Sequence, residues 1–345
     1  MPNSVPVTDN KTSKVPNSRD QQLIQWLRSQ GYRSAGAIKP MSGDAGFRRY
    51  FRMVEEDSEV IVVDSPPKFC NNQAFIDVGE RLAKQDIAVP EILAVDLEQG
   101  FFVIQDFGAT LLADTLTPDT VMHRYRQALM LLPKLMSSEA NEQLPLYDAD
   151  FVRTELNIFS EWLCEHYLQL TLDDSDKLEL EHCFNHLVAN VEAQPKVFMH
   201  RDFHSRNLMV LDNDALGVID FQDAVYGPVT YDAVSLLRDC YVKWPTSTVD
   251  TLFGEFIPLA EKQLGLEYSI DTWKRWFDLM GIQRHVKAAG IFARLKLRDN
   301  KDGYIKDIPL TLSYIVDIAN RYPELTFLAQ FVENRVIPAV EQKSI

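Results

Sequence analysis

Residues 197–227 read Val-Phe-Met-His-Arg-Asp-Phe-His-Ser-Arg-Asn-Leu-Met-Val-Leu-Asp-Asn-Asp-Ala-Leu-Gly-Val-Ile-Asp-Phe-Gln-Asp-Ala-Val-Tyr-Gly, and no other segment limits the fold so tightly. Two short apolar runs, 208–211 and 216–219, flank Asp212-Asn213-Asp214-Ala215, the pattern of a β-hairpin across a polar turn. If Leu211 faces Leu216, antiparallel pairing continues outward until Asn207 faces Asp220. One hairpin then delivers an amide oxygen and a carboxylate to a single point, with Asp202 in the loop just before it. Such oxygen ligands suit Mg²⁺, which keeps phosphate oxygens among its remaining ligands.

His200-Arg201-Asp202 with Asn207, followed by Ile219-Asp220-Phe221, resembles the catalytic segment of the protein-kinase-like superfamily in its aminoglycoside phosphotransferase branch. The resemblance implies that Asp202 accepts the proton of a substrate hydroxyl and that Asn207 and Asp220 hold the metal. It also implies an α+β fold of two lobes: a small β-rich N-lobe that binds nucleotide, and a larger, mostly helical C-lobe that carries catalysis and substrate.

Composition narrows the partners. The 345 residues, 46% hydrophobic, can bury one large or two ordinary cores, and no apolar run reaches membrane-spanning length. The N-terminal stretch lacks the apolar segment of an export signal. The four cysteines, Cys70, Cys164, Cys183 and Cys240, show no zinc or disulfide spacing, as expected of a cytoplasmic protein. A net charge of -15 argues against nucleic acid, whose phosphates need clustered cations. No membrane partner is expected, and a monomer is.

Residues 1–19 are expected to be a disordered tail, 20–107 the N-lobe and 108–345 the C-lobe. Asp20 can cap a helix carrying Leu23, Ile24 and Leu27. Ser42-Gly43-Asp44-Ala45-Gly46 then forms a small-residue turn into a strand beginning near Arg48 and Arg49, and its glycines permit backbone N–H groups to cradle phosphates. The strand at 60–63, where a kinase carries its phosphate-pairing lysine, instead runs into Asp64-Ser65-Pro66-Pro67. Arg48, Arg49, Arg52 and Lys68 are the cations that can replace it, with Asp77 or Glu80 of a following helix as the acidic partner. That helix, 73–85, turns Phe75, Val78 and Leu82 inward. Asp106-Phe107-Gly108 precedes the catalytic aspartate, so it is not the metal-binding triplet of that sequence. By the resemblance, Gln105, Asp106 and Phe107 form the hinge that meets the adenine edge.

Beyond the hinge, Val121, Tyr125, Ala128 and Leu132, and then Val152, Leu156, Phe159 and Leu163, mark helical core stripes. His166, His182 and His186 read as surface histidines, and Asp232 as a structural cap near the catalytic loop. The basic run 283–296 suggests a helix exposing Lys and Arg stems, with contact to an anionic substrate group as the less common alternative. The segment 299–303 lacks the ligand pattern of a calcium loop.

Blocks at 43–52, 64–67, 200–209, 219–228 with 231–232, 235–240, and 290–295 with 298–299 together resemble a narrower subgroup, the bacterial N-acetylmuramate/N-acetylglucosamine anomeric kinases of cell-wall recycling. That implies transfer of the ATP γ-phosphate to the C1 hydroxyl of an amino sugar, with Mg²⁺ as cofactor. Gly46 departs from the subgroup, which tends to place Ser there. His204, Arg206 and Asp223 flank the catalytic residues and are candidates for sugar contacts. Two other readings stay open: a phosphotransferase for another small hydroxyl compound, such as an aminoglycoside or a choline-like alcohol, and a nucleotide-binding pseudokinase.

Overall fold

The computed structural model describes residues 18–41, 46–56, 58–138 and 144–343. They form two compact units, one of 1–72 with 91–106, the other of 73–90 with 107–345.

In the smaller unit, helix α1 (Ser18–Ser29) precedes a sheet of β1 (Lys39–Pro40), β2 (Arg49–Glu55) and β3 (Ser58–Asp64). Helix α2 (Asn72–Ala83) follows in the chain, and β4 (Ile92–Asp96) and β5 (Phe101–Gln105) complete the sheet. The order is β1-β2-β3-β5-β4, antiparallel throughout. Leu23, Trp26 and Leu27 of α1 cluster with Met53, Val60, Val62, Phe101 and Val103, so alternate strand positions form a core on one face. Helix α1 begins earlier than expected. Ser18 and Arg19 are helical, because Arg19 lies over the Phe101 ring and its guanidinium bonds Asp64 at 2.6 Å. Residues 1–17 of the expected tail, and Ser42, Gly43 and Asp44 of the expected phosphate turn, lie outside the described residues.

The sequence placed 73–90 in the N-lobe; by contacts this segment belongs to the larger unit. Its apolar side explains why: Phe75 stacks on Phe221 with centroids 5.1 Å apart, and a Cβ at Gly79 would lie 3.3 Å from the same ring.

The larger unit continues through α3 (Val121–Leu129), α4 (Leu132–Met136), α5 (Ala149–Ile158), a π-helical segment Phe159–Tyr167 and α6 (Asp174–Glu192). Four short strands follow: β6 (Lys196–Met199), β7 (Leu208–Val210), β8 (Leu216–Val218) and β9 (Val225–Pro228). Helices α7 (Tyr231–Leu237), α8 (Thr246–Leu264), α9 (Ile270–Asp299), α10 (Ile308–Ala319), α11 (Thr326–Phe331) and α12 (Ile337–Lys343) close the chain.

The longest, α9, starts at a Ser269 cap that accepts the Thr272 N–H at 3.1 Å. Trp273, Phe277, Leu279, Met280, Ile282, Val286 and Ala289 are buried all round it, the pattern of a helix enclosed by others rather than laid on a surface. At Gly290 a Cβ would stand 2.6 Å from the Ile158 carbonyl, so glycine is what lets α9 meet the α5 end that closely. Among the described residues no helix is long and apolar enough to cross a membrane.

Candidate active site

Two short ribbons build the site. β6 pairs antiparallel with β9, Met199 opposite Val225, which brings the loop opening at His200 and the turn ending at Ala224 to one end of that ribbon. β7 and β8 form the expected hairpin one residue out of the expected register. Leu208 faces Val218 and Val210 faces Leu216, and the Leu211 N–H donates to Ala215 O at 2.9 Å. Asn207 therefore stands opposite Ile219, whose N–H it accepts at 3.1 Å, and not opposite Asp220. The turn decides this. Asp214 adopts a left-handed φ of 63°, closing a three-residue loop where four residues had been assumed. Gly217 on β8 leaves room for Phe107, whose ring a Cβ would approach to 2.6 Å.

Asp220 lies just beyond the ladder at φ 60° and Arg201 in the catalytic loop at φ 78°, left-handed positions that side chains rarely occupy and that cluster where function over-determines the backbone. Each is held. The Asp220 Oδ1 accepts the Gln222 Nε2–H at 2.7 Å. The Asp232 carboxylate accepts the N–H groups of His200 at 2.8 Å and Arg201 at 3.0 Å, the structural role its sequence position suggested. Burial pushes Asp232 up to about 7 against those two donors.

His200 is fully buried, and burial lowers its imidazole to about 4. The neutral ring bridges Ile219 O at 3.1 Å through Nε2 and the Asp202 N–H at 3.3 Å through Nδ1, which fits a proton on Nε2. The Asp202 carbonyl in turn accepts the His204 N–H and the Asn207 Nδ2–H, both at 3.0 Å. Asn207 is thereby oriented with its amide nitrogen spent on the backbone, leaving its Oδ1 to face another partner. Asp202, Asn207 and Asp220 are thus brought together through the backbone that joins them.

Under this loop sits a cationic group that sequence reasoning set aside or missed. The run 283–296 is not an exposed basic face: Gln283, Arg284, His285 and Lys287 are buried. Lys287 lies 3.1 Å from Glu155 and donates to the Tyr231 hydroxyl at 3.0 Å. Arg201 donates to the same Glu155 oxygen at 2.7 Å, and Tyr147 and Gln283 bond the other at 2.5 and 3.2 Å. Glu155 interrupts the apolar stripe Val152-Leu156-Phe159, and that interruption is the one signal in the sequence that could have found it. Burial alone would raise Asp202, yet Lys287, His204, Arg201 and Arg284 outweigh it and lower the carboxyl to about 2. Asp202 is a carboxylate at any physiological pH, free to accept a proton and weak in its pull for one.

The remaining expected site residues fall as follows. Arg49 pairs with Asp64 at 2.5 Å and with Asp20 at 2.7 Å, while Arg52 makes a two-point pair with Asp106 at 2.5 and 3.0 Å. Arg48 bonds Ser65 Oγ at 3.0 Å. The acidic partners of Arg49 and Arg52 are therefore Asp64 of β3, Asp20 of α1 and Asp106 just after β5, in place of the expected Asp77 or Glu80. Gly46 is exposed at the edge of the described turn. The Gln105 N–H is used by Glu91 O at 2.8 Å, and the Asp106 carboxylate by Arg52. His204 is buried with its ring edge-on to Tyr241, Arg206 stacks on Tyr241, and Asp223 is exposed. Among the described residues no group of three or more His, Cys, Asp or Glu side chains forms a metal cluster. The oxygen pair Asn207 and Asp220 still has the donor chemistry of a site that Mg²⁺ shares with phosphates.

A five-stranded antiparallel unit, followed by a helical one whose loop and hairpin present Asp202, Asn207 and Asp220, defines a protein-kinase-like phosphotransferase. The chain belongs to the phosphotransferase enzyme family, whose model matches residues 37–259. It is 37% identical to a protein named N-acetylmuramate/N-acetylglucosamine kinase from Pseudomonas putida, the match covering 91% of this chain and 96% of that one. A protein of the same name from Pseudomonas aeruginosa is 36% identical, over 92% of this chain and 96% of its own. Among solved structures, a choline kinase from Streptococcus pneumoniae is similar in fold, with a TM-score of 0.63 at 11% identity, covering 87% of this chain and all of that one.

Proposed function

We infer that the protein transfers the γ-phosphate of ATP to the anomeric hydroxyl of N-acetylmuramate or N-acetylglucosamine, in peptidoglycan recycling. The observation that carries this reading is the bond that fixes Asn207 to the Asp202 backbone in the loop leading into the hairpin, in a chain whose near relatives bear the amino-sugar kinase name.

In this mechanism the sugar hydroxyl bonds the Asp202 carboxylate, which aims the oxygen in line with the phosphorus and accepts its proton. The low proton affinity of Asp202 fits a loose transition state, in which the hydroxyl stays protonated until bonding to phosphorus is advanced. An anomeric hydroxyl, more acidic than an ordinary alcohol, suits such a base. Asn207 Oδ1 and the Asp220 carboxylate would hold Mg²⁺, which supplies positive charge against the phosphate oxygens. His200 and Asp232 keep the loop in place by bonding its backbone. The nucleotide assignments to Ser42, Gly43, Asp44, Gly46, Arg49, Gln105, Asp106 and Phe107 belong to this reading. So does a cytoplasmic, monomeric enzyme, whose four cysteines are free thiols.

The test is product chemistry. With Mg-ATP and N-acetylglucosamine, phosphorus NMR should show an acid-labile, non-reducing sugar 1-phosphate, and the C1 methyl glycoside should not react. A phosphorylated methyl glycoside, or a product that keeps its reducing end, would return the function to another hydroxyl acceptor.

A further inference from the structure

Arg206 immediately precedes Asn207 and is only partly buried. Its guanidinium carbon lies over the Tyr241 ring, 3.5 Å from the centroid. Tyr241 is itself anchored: its N–H donates to Asp239 Oδ1 at 3.1 Å, and its ring meets His204 at 5.5 Å and Phe292 at 6.3 Å. Asp239 also accepts the Ser205 hydroxyl at 2.6 Å, so the platform under Arg206 and the loop that carries it share one carboxylate. Among the described residues Arg206 makes no hydrogen bond and no ion pair. Asp307 interacts with it through space, and the Asp307 Oδ2 has no hydrogen-bond partner.

A guanidinium stacked on an aromatic ring is fixed in plane while its N–H groups point outward along the edge. That arrangement is pre-organised for two-point binding of a planar anion. The two candidate sugars differ in this chemistry. N-acetylmuramate carries a lactyl ether with a carboxylate at C3, where N-acetylglucosamine has a neutral hydroxyl, and C3 is separated from C1 by C2 alone. A carboxylate at that reach from the phosphorylated oxygen calls for a cation close along the chain to Asp202, and Arg206 is four residues after it. Resting on the amino-sugar reading above, we propose that Arg206, held over the Tyr241 ring, is the residue by which this enzyme distinguishes the carboxylate-bearing sugar from the neutral one.

The test compares kcat/KM for the two sugars with Mg-ATP in the full chain and in Arg206→Gln, Arg206→Lys and Tyr241→Leu. Losing a charged hydrogen-bond pair should lower the preference for N-acetylmuramate over N-acetylglucosamine by about 10- to 100-fold in Arg206→Gln, mostly through KM. Arg206→Lys keeps the charge without the fork and should fall between the two. Tyr241→Leu, which loosens the platform, should shift the ratio the same way by less. A ratio within about twofold of the parent in Arg206→Gln overturns the assignment. So does an equal loss for both sugars with a lowered Tm, the signature of a mere counter-charge to Asp307. A parent that phosphorylates neither sugar brings down the amino-sugar reading, and this assignment with it.

Discussion

Strand β2 of the smaller unit and helix α9 of the larger one both carry cations, and they treat them oppositely. On β2, Arg49 remains 41% exposed while it pairs with Asp64, which Arg19 also covers. On α9, Lys287 and Arg284 are withdrawn from water, and Lys287 shares Glu155 with Arg201. A partly exposed cation is screened and replaceable, whereas a buried one depends on each partner and projects its charge through a low dielectric. Lys287 and Arg284 of α9 act with His204 and Arg201 of the loop to hold Asp202 low against its burial.

The sharpest test of that contrast is at the point where the α9 charges converge. Asp202→Asn removes the proton acceptor and should lower turnover by about 10²–10⁴ while nucleotide affinity is retained, measured by steady-state kinetics beside calorimetric binding. A near-parental rate would remove Asp202 from the chemistry.

Glu155→Gln leaves the buried Lys287 and the partly buried Arg201 without their shared carboxylate. The expected loss is about 3–5 kcal/mol of unfolding free energy by denaturant titration. A loss under about 1 kcal/mol would mean that water already reaches this network and that the two regions do not differ.

The third test is the pH dependence of stability. Burial holds the folded His200 imidazole at about 4, and burial with Arg284 holds His285 at about 3. The unfolded chain binds protons near pH 6.5 that the folded one refuses, so stability falls as pH drops from about 6.5 toward 4. The His200 share is about 3 kcal/mol across that window. Between pH 7.5 and 5, a His200→Asn variant should lose less stability than the parent; equal slopes would contradict the buried neutral ring.

The smallest effect belongs to the strand. Arg49→Gln should cost under about 1 kcal/mol, since Arg19 still covers Asp64 and an exposed cation is lost. A loss as large as that of Glu155→Gln would erase the distinction.

The placement of the candidate site residues was legible in the sequence because they lie close along the chain. Asp202, Asn207 and Asp220 come from one loop and one hairpin, and the apolar stripes through Val121 and Val152 follow the helical period. The hairpin register was not legible, since the apolar run ending at Leu211 fits a three- or a four-residue turn equally, and only the left-handed Asp214 chooses.

The sequence by itself determined the kinase-like loop-and-hairpin pattern, the absence of a lysine before Asp64, and a two-part α+β chain. Tertiary structure alone decided that the basic run of α9 faces inward, that Glu155 gathers Arg201 and Lys287 beneath Asp202, and that Tyr241 carries Arg206. The physical reason is range. Periodicity records which side of an element is apolar, but a cation belongs inside only when a carboxylate distant in sequence arrives to meet it. Lys287 and Glu155 are brought to 3.1 Å by the packing of α9 against α5, a closeness that no local pattern in either helix records.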